Sequence, residues 1–456
     1  MMEKSTGKIV KDLTQGNVMS QLFLFAMPLF LSNTLQALYN LVDMVVVGQV
    51  VGGAGMSAVS IGGDMLHLLT FLAMGFSSAG QVIIARLVGA GEMNRVKKII
   101  GTMFTVMFCA SIVIALVCFL LRVQLLSVLN TPSEAWDYTM DYLVICIIGL
   151  PFIYGYNIVS AILRGMGDSK RPFVFVAIAA IINTVLDLWF VAGLGMGPFG
   201  AALATVIAQA LSFIVSVVYL YRHKEAFCFD FRLKSFAVDR KELANLTALG
   251  VPMAIQSAAI NISKIVLTSW INAEGLAFSA MNGIYSKTQM IVSVISNSFT
   301  TAGSSMVGQT LGAKKYDRVP KILRCLFFVG MLIAVVLTGV MLLWSRPVFE
   351  LFTSDQSVLA EAAILVAPII VNLFGSGTRN VAFALINGSG NAKLNLAIAL
   401  IDGMISRVSI AALLGYALKM GCQGFWFGDA LSGFVPIIVG MTYYLTGRWR
   451  RGNTAA

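Results

Sequence analysis

Eight polar side chains stand in stretches that are otherwise apolar, and their spacing groups them. Asp43 follows Asn40, Tyr39 and Gln36 by three, four and seven residues, which puts all four on one helical face. Asp187 comes one helical turn after Asn183, and Thr205 and Gln209 make another i, i+4 pair. Two carboxylates, an amide and a hydroxyl suit either of two tasks. They can coordinate a hard cation such as Na⁺ through oxygen, or a carboxyl shielded from water can take up and release a proton. A buried network that only glues helices together is the plainer alternative. An Asp in a membrane helix costs at least about 2.5–3.5 kcal/mol on insertion scales, a poor choice for glue. The candidate cation or proton site is therefore Asp43, Asn183, Asp187 and Thr205.

Other ionisable residues fall in apolar stretches too: Asp64, Lys264, Lys287, Arg379, Asp402, Arg407 and Asp429. Lys264 and Lys287 could meet an anionic group on a substrate, or pair with Asp402 or Asp429. Snorkelling or internal pairing is the simpler account of any one of them. Gln36, Tyr39, Asn40 and Gln209, with Asn261, Lys264 and Lys287, are the residues expected to line a substrate cavity. Pro28 removes a backbone hydrogen bond early in its helix and offers a hinge there, or a fixed kink.

Enzyme chemistry has little to work with. His67 and His223 are the only histidines, which excludes a His-based metal cluster, and no phosphate loop or nucleophile elbow is present. Transport powered by ATP within this chain is excluded on the same ground, so an ion gradient is the expected source of energy. Cys109, Cys118, Cys146, Cys228, Cys325 and Cys422 are scattered with no paired spacing and read as packing residues.

The elements that must hold these side chains are membrane helices. Of 456 residues, 58% are apolar and 12% charged, against roughly a quarter charged in soluble domains. A bilayer core of about 30 Å takes about 20 apolar residues per helix. Twelve such runs occur, at 20–47, 56–85, 98–121, 140–163, 172–194, 199–221, 248–272, 280–309, 322–345, 358–387, 394–416 and 423–446. None alternates as a barrel strand would, so the expected fold is all-α.

The net charge of +11 belongs to the loops. Loops 86–98, 164–171, 222–242 and 310–324, Lys393 and the two termini hold 25 of the 32 Lys and Arg; the opposite loops hold Arg122, Arg346 and Lys419. The positive-inside rule then puts both termini in the cytoplasm, as an even helix count requires, and the basic excess does not point to nucleic acid. No cleavable signal is expected, since the first run is long and contains Pro28 and Asp43.

The chain is also written twice. Ala79-Gly80, Gly89-Ala90-Gly91, Arg95 and Lys98 return as Ala302-Gly303, Gly312-Ala313, Arg318 and Lys321. Leu163-Arg164-Gly165-Met166-Gly167-Asp168 is echoed by Ile386-Asn387-Gly388-Ser389-Gly390-Asn391, and Pro28 by Pro252. The shift stays near 223. Two pseudo-symmetric lobes of six helices are expected, 1–221 and 243–456, joined by a polar cytoplasmic linker, 222–242. At a constant shift Asn183 and Asp187 would oppose Ser406 and Ile410, so the cation machinery is expected in the first lobe alone. Parallel repeats of this kind are a transporter architecture.

The stretch from Pro28 through Tyr39-Asn40 to Asp43 and Gly48 resembles the multidrug and toxic compound extrusion (MATE) family. So do Gln81 through Arg86 to Gly89-Ala90-Gly91, and Leu163 through Asp168. The resemblance covers essentially the whole chain and implies twelve helices in two lobes and cation-driven export of diverse, often cationic compounds. In its DinF-like prokaryotic branch the cation-site residues fall on Asp43, Asn183, Asp187 and Thr205, and the bending proline on Pro28. The NorM-like branch has acidic residues where this chain reads Ile260-Asn261 and Phe374-Gly375, which favours the first branch and leaves H⁺ or Na⁺ open. A related exporter fold that flips lipid-linked sugars is the alternative, and a membrane-embedded enzyme the remote one. The resemblance implies no cofactor beyond the coupling ion, small-molecule substrates, residence in the cell membrane and a chain that works as a monomer. Met, 23 residues, would suit promiscuous apolar walls.

Overall fold

Apolar runs of this length can satisfy their backbone inside a bilayer only as helices. A computed structural model describes residues 10–129, 131–353 and 355–451, and every regular element among them is helical. Twelve helices are long enough to cross. In unit order of the chain they are α1 Val18–Val51, α2 Gly53–Ala90, α3 Met93–Leu120, α4 Ser133–Gly165, α5 Lys170–Gly193 and α6 Gly197–Arg222, then α7 Arg240–Ala273, α8 Leu276–Gly312, α9 Tyr316–Glu350, α10 Val358–Ser389, α11 Ala392–Ala417 and α12 Cys422–Leu445. Eleven are also apolar enough by composition. The exception is α8, where Asn282, Ser286, Lys287, Thr288 and Gln289 crowd two turns. The helices overrun the apolar runs because polar ends stay helical beyond the bilayer core.

Contacts divide the chain into two units. The first holds residues 27–250 with the described residues up to Asp12; the second holds 13–26 with the chain from Val251 onward. Two of the changes of unit occur inside helices, and each lies beside a proline: Pro28 in α1 and Pro252 in α7. Proline lacks the N–H that would bond one turn back, so the helical ladder is weakest where membership changes. In α1 the Ser32 hydroxyl donates to the Pro28 carbonyl at 2.8 Å.

In the first unit α4 packs on α2 and α6, and α5 packs on α6. The segment 222–242 is docked on α3. Lys97 pairs with Asp230 at 3.0 Å, Lys98 with Asp239 at 3.0 Å, and Arg95 with Glu242 at 2.7 Å. Phe229 and Phe236 pack against Phe104 of α3. The Ser235 hydroxyl and the Lys97 ammonium hold the Asp230 carboxyl below the usual carboxylate range. A Cβ on Gly101 would come within 1.9 Å of the Ser235 carbonyl oxygen, so only glycine admits the segment there.

In the second unit α8 and α9 pack on α10, and α11 packs on α12. Gly428 lies against Ala411 and Gly424 against Gly415, small residues that let the α11 and α12 backbones close up. Within α9, Trp344 leaves helical geometry (φ −135°, ψ 32°) three residues before Pro347. Its counterpart by the 223 shift is Leu121, where α3 ends before a short helix, Arg122–Val128.

Left-handed backbone positions give the register between halves. Gly52, Gly91 and Gly167 answer to Gly275, Lys314 and Gly390 at a shift of 223, whereas Gly195 and Gly197 answer to Lys419 and Gly421 at 224. One residue has been added in between. The place for it is the π-helical stretch Ile401–Ser406 within α11, which has no equivalent at that point of α5; a π turn accommodates one extra residue. The expected counterparts Ser406 and Ile410 are therefore corrected: Asn183 opposes Arg407, Asp187 opposes Ala411, and Thr205 opposes Asp429.

Gly428→Ala should lower thermal stability. The added methyl would meet the Ala411 backbone at 2.3–2.4 Å, and overpacking of this kind costs about 1–3 kcal/mol. Gly339→Ala, with nothing within 4 Å of its Cβ, should be neutral or stabilising by about 0.5–1 kcal/mol. Unfolding temperatures in detergent compare the two; equal melting would contradict the close α11–α12 crossing.

Candidate functional site

Three helices of the first unit bring four oxygen-bearing side chains together. Asp43 comes from α1, Asn183 and Asp187 from α5, and Thr205 from α6. Asp187 is the last α-helical residue before a π segment, Leu188–Gly193, a local widening often found at functional positions. A proline in the first turn starts α6, where its missing N–H leaves no bond unmade. Two turns on, Thr205 faces α5 and α1.

The contacts are direct. The Thr205 hydroxyl donates to Asp43 Oδ2 at 3.1 Å, and Asn183 Nδ2 donates to Thr205 Oγ1 at 3.3 Å. The carboxyls of Asp43 and Asp187 lie within electrostatic reach of each other, and Asn183 lies close to Asp43. Exposure is 2% for Asp43, 1% for Asn183, 0% for Asp187 and 6% for Thr205, so bulk water solvates none of them. Asp43 Oδ1, Asn183 Oδ1 and both Asp187 oxygens receive no hydrogen bond from the described residues.

The electrostatics follow from those four oxygens. Two unit charges about 4 Å apart repel by roughly 4 kcal/mol at an effective dielectric near 20, and burying an unpaired charge costs several kcal/mol more. No Lys, Arg or His ion pair of the described residues reaches either carboxylate. The cluster needs a positive charge it does not contain. Hard oxygen donors fit Na⁺, and a proton held between the carboxylates meets the same need.

Around this cluster, Gln209 Nε2 donates to the Tyr39 hydroxyl at 3.2 Å. Gln36 and Tyr39 are half-buried and Asn40 is exposed, while Asp43 at the end of the α1 polar stripe is buried. Tyr142 of α4 also lies in electrostatic reach of Asp43 and Asp187. Nothing in its spacing announces it, since α4 and α1 meet only in the fold.

The charged residues of the second half form a separate cluster in the second unit. Arg379 pairs with Asp402 at 3.1 Å, Arg407 lies 4.0 Å from Asp402, and Arg407 also pairs with Asp429. The Tyr285 hydroxyl donates to Asp429 Oδ2 at 2.8 Å. Lys264 is half-buried in electrostatic reach of Arg407, Arg379 and Asp402. The arginines hold the carboxylates, where sequence spacing offered the lysines as partners. Lys287 and Asn261 are exposed, and Asn261 Nδ2 bonds its own helix at Ser257 O, 2.8 Å. Asp64, on α2 of the first unit, is also exposed. Where α5 and α6 share the Asn183–Thr205 hydrogen bond, α11 and α12 share the Arg407–Asp429 ion pair.

Known proteins resemble this chain along its whole length. The model of the MatE family matches residues 28–189 and again 252–413. Probable multidrug resistance protein YoeA of Bacillus subtilis (strain 168) is 28% identical over 451 residues, covering 97% of each chain. Probable multidrug resistance protein YpnP of the same strain is 28% identical over 443 residues, 96% of this chain and 97% of that one. A solved structure of a MOP superfamily transporter from Pyrococcus furiosus shares the fold, with a TM-score of 0.89 over 97% of this chain and 98% of its own at 22% identity.

Cation binding to the purified protein should depend on the four residues unequally. Asp43→Asn should abolish it, because the repulsion that demands a positive charge disappears. Thr205→Val and Asn183→Ala should weaken it several-fold, since each removes one neutral oxygen and leaves both carboxylates. Na⁺ titration by calorimetry and proton uptake in unbuffered solution measure this. Unchanged binding in all three variants would remove the cluster from consideration.

Proposed function

The chain belongs to the MatE family, whose relatives are multidrug efflux transporters, and on that premise we propose that it is an antiporter expelling small organic molecules as H⁺ or Na⁺ runs the other way. It is a multi-pass membrane transporter and not an enzyme. The observation that carries the coupling reading is the buried set of oxygens on Asp43, Asn183 and Asp187 that no donor among the described residues reaches. A site that lacks its own positive charge is stable only with a cation aboard, which ties its state to the ion gradient.

The coupling is a difference in affinity. With the cation bound, α1, α5 and α6 are drawn together at Asp43, Asp187 and Thr205. Without it, carboxylate repulsion works against that packing. Pro28 lies where α1 changes unit, so it is the position at which α1 yields as the site fills or empties. Arg407 stands at the counterpart of Asn183 and carries its cation covalently. The lobe formed by 1–221 therefore senses the ion, while the lobe formed by 243–456 carries its own cation at the equivalent place. The substrate-lining residues of the ion-sensing lobe are read as Gln36, Tyr39, Asn40 and Gln209, and those of the other lobe as Asn261, Lys264 and Lys287. The basic loops put both termini in the cytoplasm of a cell-membrane protein. The chain is read as a monomer with no cofactor beyond its coupling ion.

Asp43→Asn and Asp187→Asn should each abolish gradient-driven ethidium efflux from proteoliposomes while leaving the protein folded. Pro28→Ala should slow efflux yet keep cation binding, because the hinge lies about four turns from Asp43 along α1. Full efflux in both Asp variants would refute ion coupling at this cluster. Loss of cation binding in Pro28→Ala would refute its role as a hinge.

A further inference from the structure

The membrane helices of the second unit carry more positive charge than they neutralise. Lys264, Arg379 and Arg407 face two carboxylates, Asp402 and Asp429. Asp429 is taken up by Arg407 and by the Tyr285 hydroxyl, and Asp402 Oδ1 by Arg379. Arg407 is fully buried, yet its Nε and Nη2 donate no hydrogen bond among the described residues, nor does Arg379 Nε. Lys264 has no ion-pair or hydrogen-bond partner among them either. A buried donor left without a partner is costly, the more so where it is charged.

Snorkelling explains Lys287, which is exposed on α8. It does not explain Lys264, half-buried beside two arginines whose charge it shares. Like charges gather in this way when an anion is to be held among them. Only Asp402 Oδ2 remains as an unbonded acceptor in the cluster, too little for the donors that face it.

We propose that Lys264, Arg379 and Arg407 form an anion subsite in the second unit that receives the carboxylate of an amphipathic organic substrate. A guanidinium presents paired N–H groups that match the two oxygens of a carboxylate, and the lysine adds a mobile point charge. The inference rests on the exporter reading and names a substrate class for it: molecules with an acidic group beside an apolar body, in addition to any that are cationic.

Three probes of one scaffold test it: phenylbutyrate, phenylbutyramide and phenylbutylamine, titrated onto the purified full-length protein in nanodiscs. Phenylbutyrate should bind roughly tenfold more tightly than the amide. Lys264→Gln should remove that preference and Lys264→Arg should restore it, whereas a lysine with only a structural role would alter unfolding temperature and leave the preference in place. Asp43→Asn should keep the preference even though its gradient-driven efflux is lost. Equal or tighter binding of the amide or the amine, no binding of any probe, or a preference that survives Lys264→Gln overturns the subsite. Ethidium efflux by the wild type separates the two readings: efflux with no acid preference sinks the subsite alone, and no efflux in an imposed gradient sinks the exporter reading alone.

Discussion

A charge inside a bilayer has to be answered by an opposite charge, and the two units of this protein answer it differently. In the second unit Arg407 and Asp429 bridge α11 and α12, so the positive partner is part of the chain. In the first, the matching place holds Asn183 and Thr205, and the carboxylates of Asp43 and Asp187 gather beside them with no ion pair to a basic residue among those described. A buried pair made of protein alone is permanent, and removing one partner is strongly destabilising. A pair whose positive member comes from solution can be loaded and unloaded. On the coupling proposed here, the same helix crossing serves as a fixed brace in one unit and as an ion-dependent one in the other.

The backbone makes that difference possible. The π segment Ile401–Ser406 takes up one residue and turns the rest of α11, which sets Arg407 at the place of Asn183. Close passage of α11 and α12 at Gly428 and Gly424 brings Arg407 within reach of Asp429. On the other side, the π segment after Asp187 interrupts α5 just past the carboxylate. The two prolines at the changes of unit, Pro28 and Pro252, weaken the helix ladder where each lead helix changes allegiance. Rigid crossings hold the charged groups, and softened ladders allow the lead helices to respond.

Some of this was legible in residue order. Asp43, Asn183, Asp187 and Thr205 stood out because polar groups in membrane helices are costly, and their i, i+3 and i, i+4 spacings put them on defined faces. The spacing could not say that three helices meet there, nor that Tyr142 lies close by. The second cluster was harder to read. Lys264 and Lys287 were offered as partners for Asp402 and Asp429, but which cation reaches which carboxylate depends on helix rotation, and the arginines reach first. Lys287 turns outward on α8 instead.

By itself the sequence determined that the chain is helical and spans a membrane, because apolar runs about 20 residues long have no other way to satisfy their backbone. It also determined the doubled motif order and the charge bias of the loops, since both are properties of composition along a line. The register between halves was left to the tertiary structure. A single added residue in a π turn changes no motif and breaks no apolar run, yet it rotates every later side chain of its helix by about 100°, the angle between neighbours at 3.6 residues per turn. That rotation put an arginine in one unit where the other has an asparagine. On the proposed coupling, whether a unit holds its own cation or must borrow one was decided there, by packing.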